Sequence, residues 1–232
     1  MKPPLVSILV TSYNVEDFID RAINSALDQT YPHVEIIAVD DASSDSTWQR
    51  LQKYKHRIQL IRNKKRKRVS AALNIALSVA KGEYITRLDG DDQLDPTLVE
   101  KEVELLSKNS HIGFVYCDYV EVDPGGKLIR EVHLPDYIPS VIHLVDYIAM
   151  GNMIRAGCYQ KIGGYDEGMK KQEHYDFSIR LAREFEGAHL AEPLFFYTRR
   201  PNQATSNLDD IRYYTELIRQ KYNLRPSEVV SW

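Results

Sequence analysis

The chain has 232 residues, of which 43% are hydrophobic and 27% charged, and its net charge is −3 at pH 7. This composition is typical of a globular protein and excludes an intrinsically disordered chain. The small net charge gives no overall attraction to nucleic acid or to a membrane surface.

The sequence also indicates a compartment. No apolar run reaches the roughly 20 residues of a membrane-spanning helix. The opening residues, Met1-Lys2-Pro3-Pro4, lead directly into an apolar segment, so we expect no signal peptide. Cys117 and Cys158 lack the spacing of metal ligands, and two cysteines in 232 residues fit a reducing environment. We therefore expect a cytoplasmic protein.

The first half of the chain alternates two kinds of pattern. Four short apolar runs predict buried strands at residues 5–10, 34–39, 58–61 and 84–88. Three segments with apolar positions at helical spacing lie between them, at residues 15–27, 47–54 and 69–80. This alternation predicts βαβ units, and hence an α/β fold with a mainly parallel sheet flanked by helices.

Three of the predicted strands end in polar clusters. These clusters are residues 11–14, 40–41 and 89–92. Ligands of parallel α/β sheets bind at the carboxyl ends of the strands. We therefore predict one binding site at this edge of the sheet.

The last of these clusters is an acidic turn, Asp89-Gly90-Asp91-Asp92. Carboxylates two residues apart can converge on one cation. Mg²⁺ or Mn²⁺ held by one or two protein carboxylates keeps positions open for phosphate oxygens of a substrate. The alternative interpretation is an ordinary acidic turn, because Asp and Gly are common turn residues.

The second half of the chain is less regular. Its predicted elements are helices at 96–107, 173–184 and 208–222, strands at 112–117 and 194–198, and a hairpin over 120–132. Asp123-Pro124-Gly125-Gly126 predicts the turn of that hairpin. No linker of Pro, Gly and Ser divides the chain, so we expect one domain.

Several motifs resemble, in order, those of the family 2 glycosyltransferases, which have the GT-A fold. They are residues 6–14, 40–47, 80–85, 88–92, 163–166 and 176–181. The resemblance implies inverting transfer of a sugar from a nucleotide diphosphate sugar to an acceptor hydroxyl, with a UDP-sugar favoured over GDP- or dTDP-sugars. It also implies a nucleotide-sugar-binding half at residues 1–118 and an acceptor-facing half at residues 119–232.

The same resemblance implies roles for individual residues near the predicted site. Thr11 and Asp41 fall at positions that hold the nucleotide base in the family, with Tyr13 and Glu16 close to them.

The acidic turn falls on the Asp-x-Asp motif of the family. Asp89 and Asp91 would hold the ribose and the metal–diphosphate, with Asp92 beside them and Mn²⁺ or Mg²⁺ as the cofactor. The expected acceptor is a saccharide or a lipid-linked saccharide, as in polysaccharide biosynthesis, with peripheral contact at the inner face of the membrane as one option.

The residues that would act as general base depart from the family pattern. Family members carry a carboxylate six residues before the arginine that matches Arg180, in a Glu-Asp pair. Here that position is His174, preceded by Glu173. Histidine can accept a proton near pH 7. His174 is therefore our first candidate base, with Glu173 and Asp176 as alternatives.

Two further departures concern cations. Five consecutive basic residues, 64–68, stand near the position of an inner arginine of the family. They could contact the diphosphate or anionic lipid, or form a solvated loop. Arg200 stands where a histidine often helps to bind metal or phosphate. Because an arginine pairs with phosphate but does not bind a cation, we expect weaker metal binding.

Two rival functions remain at this point. A nucleotidyltransferase also places acidic residues on such a sheet, but it would show a Gly-rich basic loop after the first strand, where this chain has Thr11-Ser12-Tyr13-Asn14. The other rival is a nucleotide-sugar-binding module without activity, which His174 and Arg200 would allow.

Overall fold

A single sheet with helices on both faces forms the centre of the protein. The computed structural model describes residues 3–138, 148, 151–200, 203 and 208–224. Within these residues the strands are β1 Val6–Ser12, β2 Val34–Asp40, β3 Gln59–Arg62, β4 Tyr84–Asp89, β5 Gln93–Leu94, β6 Ile112–Val122, β7 Leu128–Val132, β8 Asn152–Arg155 and β9 Glu186–Thr198. Their order is β3-β2-β1-β4-β8-β6-β9-β5, and β7 pairs with β6.

The helices connect and cover these strands. They are α1 Ile19–Leu27, α2 Thr47–Leu51, α3 Val69–Val79, α4 Leu98–Lys108, α5 Ala156–Ile162, α6 Glu173–Glu184 and α7 Leu208–Tyr222. A 3₁₀ turn, Gln52–Tyr54, continues α2. The bounds of α6 and α7 coincide with the predicted helices.

The predicted parallel arrangement is confirmed for the first four strands. β1 pairs in parallel with both β2 and β4, and β2 pairs in parallel with β3. Ser12 lies opposite Asp40, and Thr11 lies opposite Asp89. The three polar clusters therefore meet at one edge of the sheet, as predicted.

The second half of the sheet is mixed rather than mainly parallel. β8 lies antiparallel between β4 and β6, β7 and β5 also pair antiparallel, and only β6 and β9 pair in parallel there. The hairpin is confirmed, since β6 and β7 flank its turn. The border drawn at residues 118 and 119 falls inside β6, which runs through both halves.

Three elements were not predicted: β5, β8 and α5. β5 and β8 have two and four residues, too short for a clear alternation of polar and apolar positions. The predicted strand at 194–198 is the end of the 13-residue β9. The pieces expected beyond Pro135 fall partly at residues 139–147, outside the described residues.

The core has one layer on each face of the sheet. Along β1, Ile8 packs with the residues of α1 and α4, such as Ile19 and Leu98. The next residue, Leu9, packs on the opposite face with Leu73 of α3. Successive side chains of a strand point to opposite faces, so each central strand is buried on both sides and reads as a continuous apolar run.

One charged residue lies inside this core. Glu102 of α4 is fully buried, and neither of its carboxyl oxygens has a hydrogen-bond partner among the described residues. Burial without a partner disfavours the charged form and raises the pKa of Glu102 well above its ordinary value of 4.5. The folded state therefore holds a proton that the unfolded chain releases, so stability falls as the pH rises above 4.5.

We predict that Glu102→Met stabilises the protein at pH 8 by about 1–3 kcal/mol, because it removes unsatisfied polar atoms from the core. The gain should shrink at pH 4, where the wild-type carboxyl is protonated in both states. Urea unfolding at both pH values measures it. Glu104→Met, on the exposed face of the same helix, is the control and should change stability by less than about 0.5 kcal/mol. An equal gain at the two pH values would contradict the prediction.

Candidate active site

The loops after β1 and β2 are tied together by hydrogen bonds. The backbone N–H of Val15 donates to Thr47 Oγ1 (2.9 Å), and that of Glu16 donates to Asp45 (3.1 Å). Glu16 Oε2 in turn accepts from the N–H of Ser46 (2.9 Å). These bonds hold residues 15 and 16 in the loop, and α1 begins at Ile19 rather than at residue 15. One oxygen of the Glu16 carboxylate thus has a partner in the loop.

The acidic turn is fixed against the end of β1. Thr11 Oγ1 donates to Asp89 Oδ1 (2.9 Å), and the N–H of Gly90 donates to the Thr11 carbonyl (2.8 Å). A Cβ atom at Gly90 would lie 3.0 Å from that carbonyl oxygen and 3.1 Å from the side chains of Val15 and Ile19. A larger residue at this position would therefore have to displace its neighbours by a few tenths of an ångström.

The three carboxylates of the turn have different surroundings. Asp89 has a side chain that is 36% exposed, whereas that of Asp91 is 18% exposed. Asp91 Oδ2 accepts from Arg200 Nε (2.6 Å). Burial raises the pKa of Asp91 and the charge of Asp89 adds to this, while Arg200 lowers it.

Asp92 is withdrawn from the surface of the site. It is 3% exposed, and its Oδ1 accepts from the backbone N–H of Thr198 at the end of β9 (2.9 Å). Burial, with the charges of Asp91 and Asp89, raises its pKa well above the ordinary range. Asp92 therefore ties the acidic turn to β9 and leaves Asp89 and Asp91 as the accessible pair.

This pair fits a divalent cation that takes most of its ligands from a substrate. Among the described residues, no group of three or more His, Cys, Asp or Glu side chains could hold a metal. Asp89 and Asp91 each already face an arginine, Arg87 at 2.8 Å and Arg200 at 2.6 Å. Mg²⁺ and Mn²⁺ sites with one or two protein carboxylates and substrate phosphates have this composition.

Arg87 is a part of the site that the sequence analysis missed. Its Nη2 lies 2.8 Å from Asp89 Oδ2, and its Nη1 lies 3.2 Å from Glu173 Oε1. Residues two apart on a strand share a face, so a basic residue two positions before Asp89 was the available signal. The contact with Glu173 could not be predicted, because it depends on the packing of α6 next to β4 in the folded protein.

The candidate bases lie at the start of α6. Glu173 is 6% exposed, and its Oε1 lies 3.7 Å from Nδ1 of His174, whose side chain is 25% exposed. Burial raises the pKa of Glu173, but its contact with His174 and the charge of Arg87 outweigh it and bring the pKa down to about 2. Glu173 is therefore a carboxylate that stays ionised and engaged at neutral pH.

Asp176 has a different environment. It is fully buried, and its Oδ1 accepts from Lys221 Nζ (2.6 Å) and Tyr222 Oη (2.7 Å). Its Oδ2 accepts from Arg180 (3.0 Å). With both oxygens engaged, Asp176 joins α6 to α7, and this geometry does not support its selection as an alternative base.

At the other end of the site, Asp41 organises the basic run of residues 64–68. Its Oδ1 accepts from Asn63 Nδ2 and from the N–H of Lys67 (both 2.8 Å), and its Oδ2 accepts from the N–H of Arg68 (2.7 Å). Arg68 has a φ of +75°. A substitution of Asp41 would therefore disturb this loop as well as any nucleotide contact.

The side chains of the basic run are exposed, and one of them touches a predicted base-binding residue. The guanidinium carbon of Arg66 lies 3.9 Å from the ring centroid of Tyr13, a cation–π distance. Tyr13 and Asp41 are thus both in contact with this loop, which extends the site beyond the three strand ends.

The sheet order, the acidic turn after β4 and the helix that begins at Glu173 define a glycosyltransferase of the GT-A fold. The chain belongs to glycosyl transferase family 2, because residues 7–202 match the profile of that family. Among the residues that the structure describes, no helix is long and apolar enough to cross a membrane.

A curated relative covers most of the chain. The putative glycosyltransferase EpsE of Bacillus subtilis (strain 168) is 35% identical over 206 residues, which are 83% of this chain and 72% of EpsE. Two other relatives match over shorter stretches: an uncharacterized glycosyltransferase of Haemophilus influenzae over 112 residues and the putative teichuronic acid biosynthesis glycosyltransferase TuaG of Bacillus subtilis over 137, which are 35% and 54% of those proteins.

Solved structures share the fold at low sequence identity. TarS 1-349 of S. aureus in complex with UDP-GlcNAc has a TM-score of 0.77 at 20% identity, covering 97% of this chain and 68% of that one. The mannosyltransferase PcManGT of Pyrobaculum calidifontis, in complex with GDP-Man and Mn²⁺, has a TM-score of 0.73 at 17% identity, covering 98% and 66%.

We predict that Asp176→Asn destabilises the protein by about 3 kcal/mol, because it removes the buried charge that Lys221 and Arg180 contact. Chemical denaturation measures the change. Glu184 lies in the same helix as Asp176 and forms an exposed pair with Lys161 of α5. Glu184→Gln breaks this pair and should cost less than about 1 kcal/mol. Unchanged stability together with lost turnover would instead identify Asp176 as the base.

Proposed function

We propose that the chain transfers a sugar from a UDP-sugar to an acceptor hydroxyl, with inversion and with the help of a divalent cation. The observation that carries the proposal is the contact series from Asp89 through Arg87 to Glu173 and His174. It brings the carboxylates suited to a metal–diphosphate next to a proton acceptor, which is what a single displacement at the sugar carbon requires.

The choice of UDP rests on the base end of the site and on a neighbour. Thr11, Tyr13 and Asp41 lie together at the carboxyl ends of β1 and β2, where the family resemblance expects the base. TarS binds UDP-GlcNAc in its structure, whereas PcManGT binds GDP-Man. GDP-sugars are therefore the alternative donors to test.

Asp89 and Asp91 are the residues that would hold Mn²⁺ or Mg²⁺. When bound, such a cation neutralises the negative charge that grows on the leaving diphosphate. Arg200 contacts Asp91 directly, and its guanidinium can pair with a phosphate. Arg200 would therefore exchange part of its contact with Asp91 for the diphosphate when the donor binds.

We assign to His174 the role of general base, which accepts the proton of the acceptor hydroxyl. In an inverting displacement the acceptor oxygen forms a bond to the sugar carbon as the bond to the diphosphate breaks, and the hydroxyl proton passes to a base. Glu173 is already engaged by Arg87, whose Nη1 lies 3.2 Å from Oε1, so it is the second candidate for the base. It suits a second role, in which it orients His174 and stabilises the charge that the imidazole gains.

The proposed acceptor is a saccharide or a lipid-linked saccharide. Contact with anionic lipid at the inner face of the membrane is one use of the exposed run 64–68.

Family membership removes the nucleotidyltransferase interpretation. An inactive sugar-nucleotide-binding module remains the rival, and consumption of UDP-sugars in the presence of candidate acceptors separates the two.

We predict that Asp91→Asn weakens Mn²⁺-dependent UDP binding by about 10-fold or more, the loss typical of changes around a metal site. Calorimetric titration with Mn²⁺ and with EDTA measures it. Asp17→Asn makes the same charge change at an exposed position of the first loop and should leave binding unchanged. If Asp91→Asn keeps its metal-dependent affinity, the cation lies elsewhere.

A second prediction concerns the base. His174→Ala should reduce turnover by about 10²–10⁴-fold and change UDP affinity far less. The wild-type rate should fall at acidic pH, because a protonated imidazole can no longer accept a proton. A sugar-nucleotide consumption assay across pH measures both.

Glu173→Gln provides the comparison for this prediction. It keeps the side-chain shape next to His174 and should reduce turnover less than His174→Ala does. The reverse ranking would make Glu173 the base, and activity that survives both substitutions would argue against a side-chain base at the start of α6.

A further inference from the structure

The buried side chain of Arg87 contacts carboxylates from two separate parts of the site. Its Nε and Nη2 face Asp89, at 3.2 and 2.8 Å, and its Nη1 lies 3.2 Å from Glu173 Oε1. The side chain of Arg87 is 13% exposed. One guanidinium is thus shared between the acidic turn after β4 and the first residue of α6.

We propose that Arg87 is a positioning residue that couples the donor-binding carboxylate to the proposed base, so that occupancy of Asp89 by the donor changes the setting of His174. The inference rests on the proposed function, because it takes Asp89 as a donor contact and His174 as the proton acceptor. It goes further in linking the two halves of the reaction through a residue that touches neither substrate.

The geometry of the guanidinium supports this coupling. Its five N–H groups lie in one fixed plane, and the backbone of Arg87 is held in the centre of the sheet, opposite Leu9 of β1. The group cannot optimise its bonds to two carboxylates independently. When ribose hydroxyls or a cation engage Asp89, the hold of Asp89 on Arg87 weakens, and the contact with Glu173 strengthens in a poorly solvated site.

One carboxyl oxygen of Glu173 connects Arg87 with the proposed base. Glu173 Oε1, which faces Arg87, is also the oxygen that lies 3.7 Å from His174 Nδ1. A shift of Glu173 towards Arg87 therefore alters the contact that orients the imidazole. Glu173 and His174 are the first two residues of α6. The contacts of Asp176 with α7 hold this helix in place.

Thermodynamic linkage makes the proposal testable by binding alone. If the donor at Asp89 changes the contact between Arg87 and Glu173, then a substitution at Glu173 changes donor affinity, and the part of this change that depends on Arg87 measures the coupling. This holds although Glu173 is not a proposed nucleotide contact. The effect should disappear when Arg87 can no longer bridge the two carboxylates.

The experiment is a mutant cycle read out as the Kd for UDP with Mn²⁺, measured by calorimetry. Glu173→Gln should change the Kd by about 5-fold or more in the wild-type background. In the Arg87→Met background it should change the Kd by less than about 2-fold, the range for independent sites. Arg87→Lys is the second background, because it keeps the charge and so supports folding, but lacks the planar fork; the same loss of coupling is expected there.

Arg155→Met is the matched control. Arg155 is a partly buried arginine of β8 whose Nε and Nη2 donate to the backbone carbonyls of Ile112 and Leu106, at 2.8 and 2.6 Å. Its substitution should lower stability and leave the effect of Glu173→Gln on UDP binding intact. A purely structural role for Arg87 would make the two arginine variants behave alike.

The outcomes separate the two proposals. UDP binding with the same response to Glu173→Gln in all backgrounds would overturn the coupling and leave the proposed function standing. A wild-type protein that binds GDP instead would correct the donor, and the same cycle run with GDP would decide the role of Arg87. A wild-type protein that binds neither nucleotide would overturn both.

Discussion

The pairing of β1 with β2 on one side and with β4 on the other is the constraint on which the site depends. Parallel strands in register end at the same level, so Thr11, Asp40 and Asp89 are brought to one edge. The hydrogen bond from the Gly90 N–H to the Thr11 carbonyl then holds the acidic turn against β1, where a Cβ atom would be crowded. The contacts of Arg87, Asp91 and Asp92 all start from this fixed turn.

Charge at this edge is balanced in pairs rather than left to solvent. Asp89 is matched by Arg87, and Asp91 by Arg200, so the carboxylates are held in place before any ligand arrives. Such preorganisation lowers the cost of ordering the site when a substrate binds. It also means that a diphosphate meets guanidinium groups as well as carboxylates.

The sequence predicted the parts of this arrangement that depend on local pattern. β1, β2 and β4 are apolar on both faces, and α6 has a clear helical period, so their existence and order could be derived. The short β5 and β8 have no such pattern. The roles of Asp92, Asp176 and Arg87 depend on which side chains the fold places next to them. The sequence alone does not distinguish an aspartate that is buried in the core from one that faces a ligand. The residue pattern and the family resemblance both selected the acidic turn, but neither indicated which of its carboxylates is buried.

The way Asp41 holds the basic run has an evolutionary consequence. At residues 67 and 68 it binds backbone N–H groups, which every amino acid except proline supplies. The shape of the loop is thus separated from the identity of these side chains, and a glycine at position 68 would even suit the φ of +75°. Substitutions can therefore remove, add or reverse charge in the run, and so adapt it to different surfaces, without changing the hydrogen bonds that Asp41 makes to its backbone.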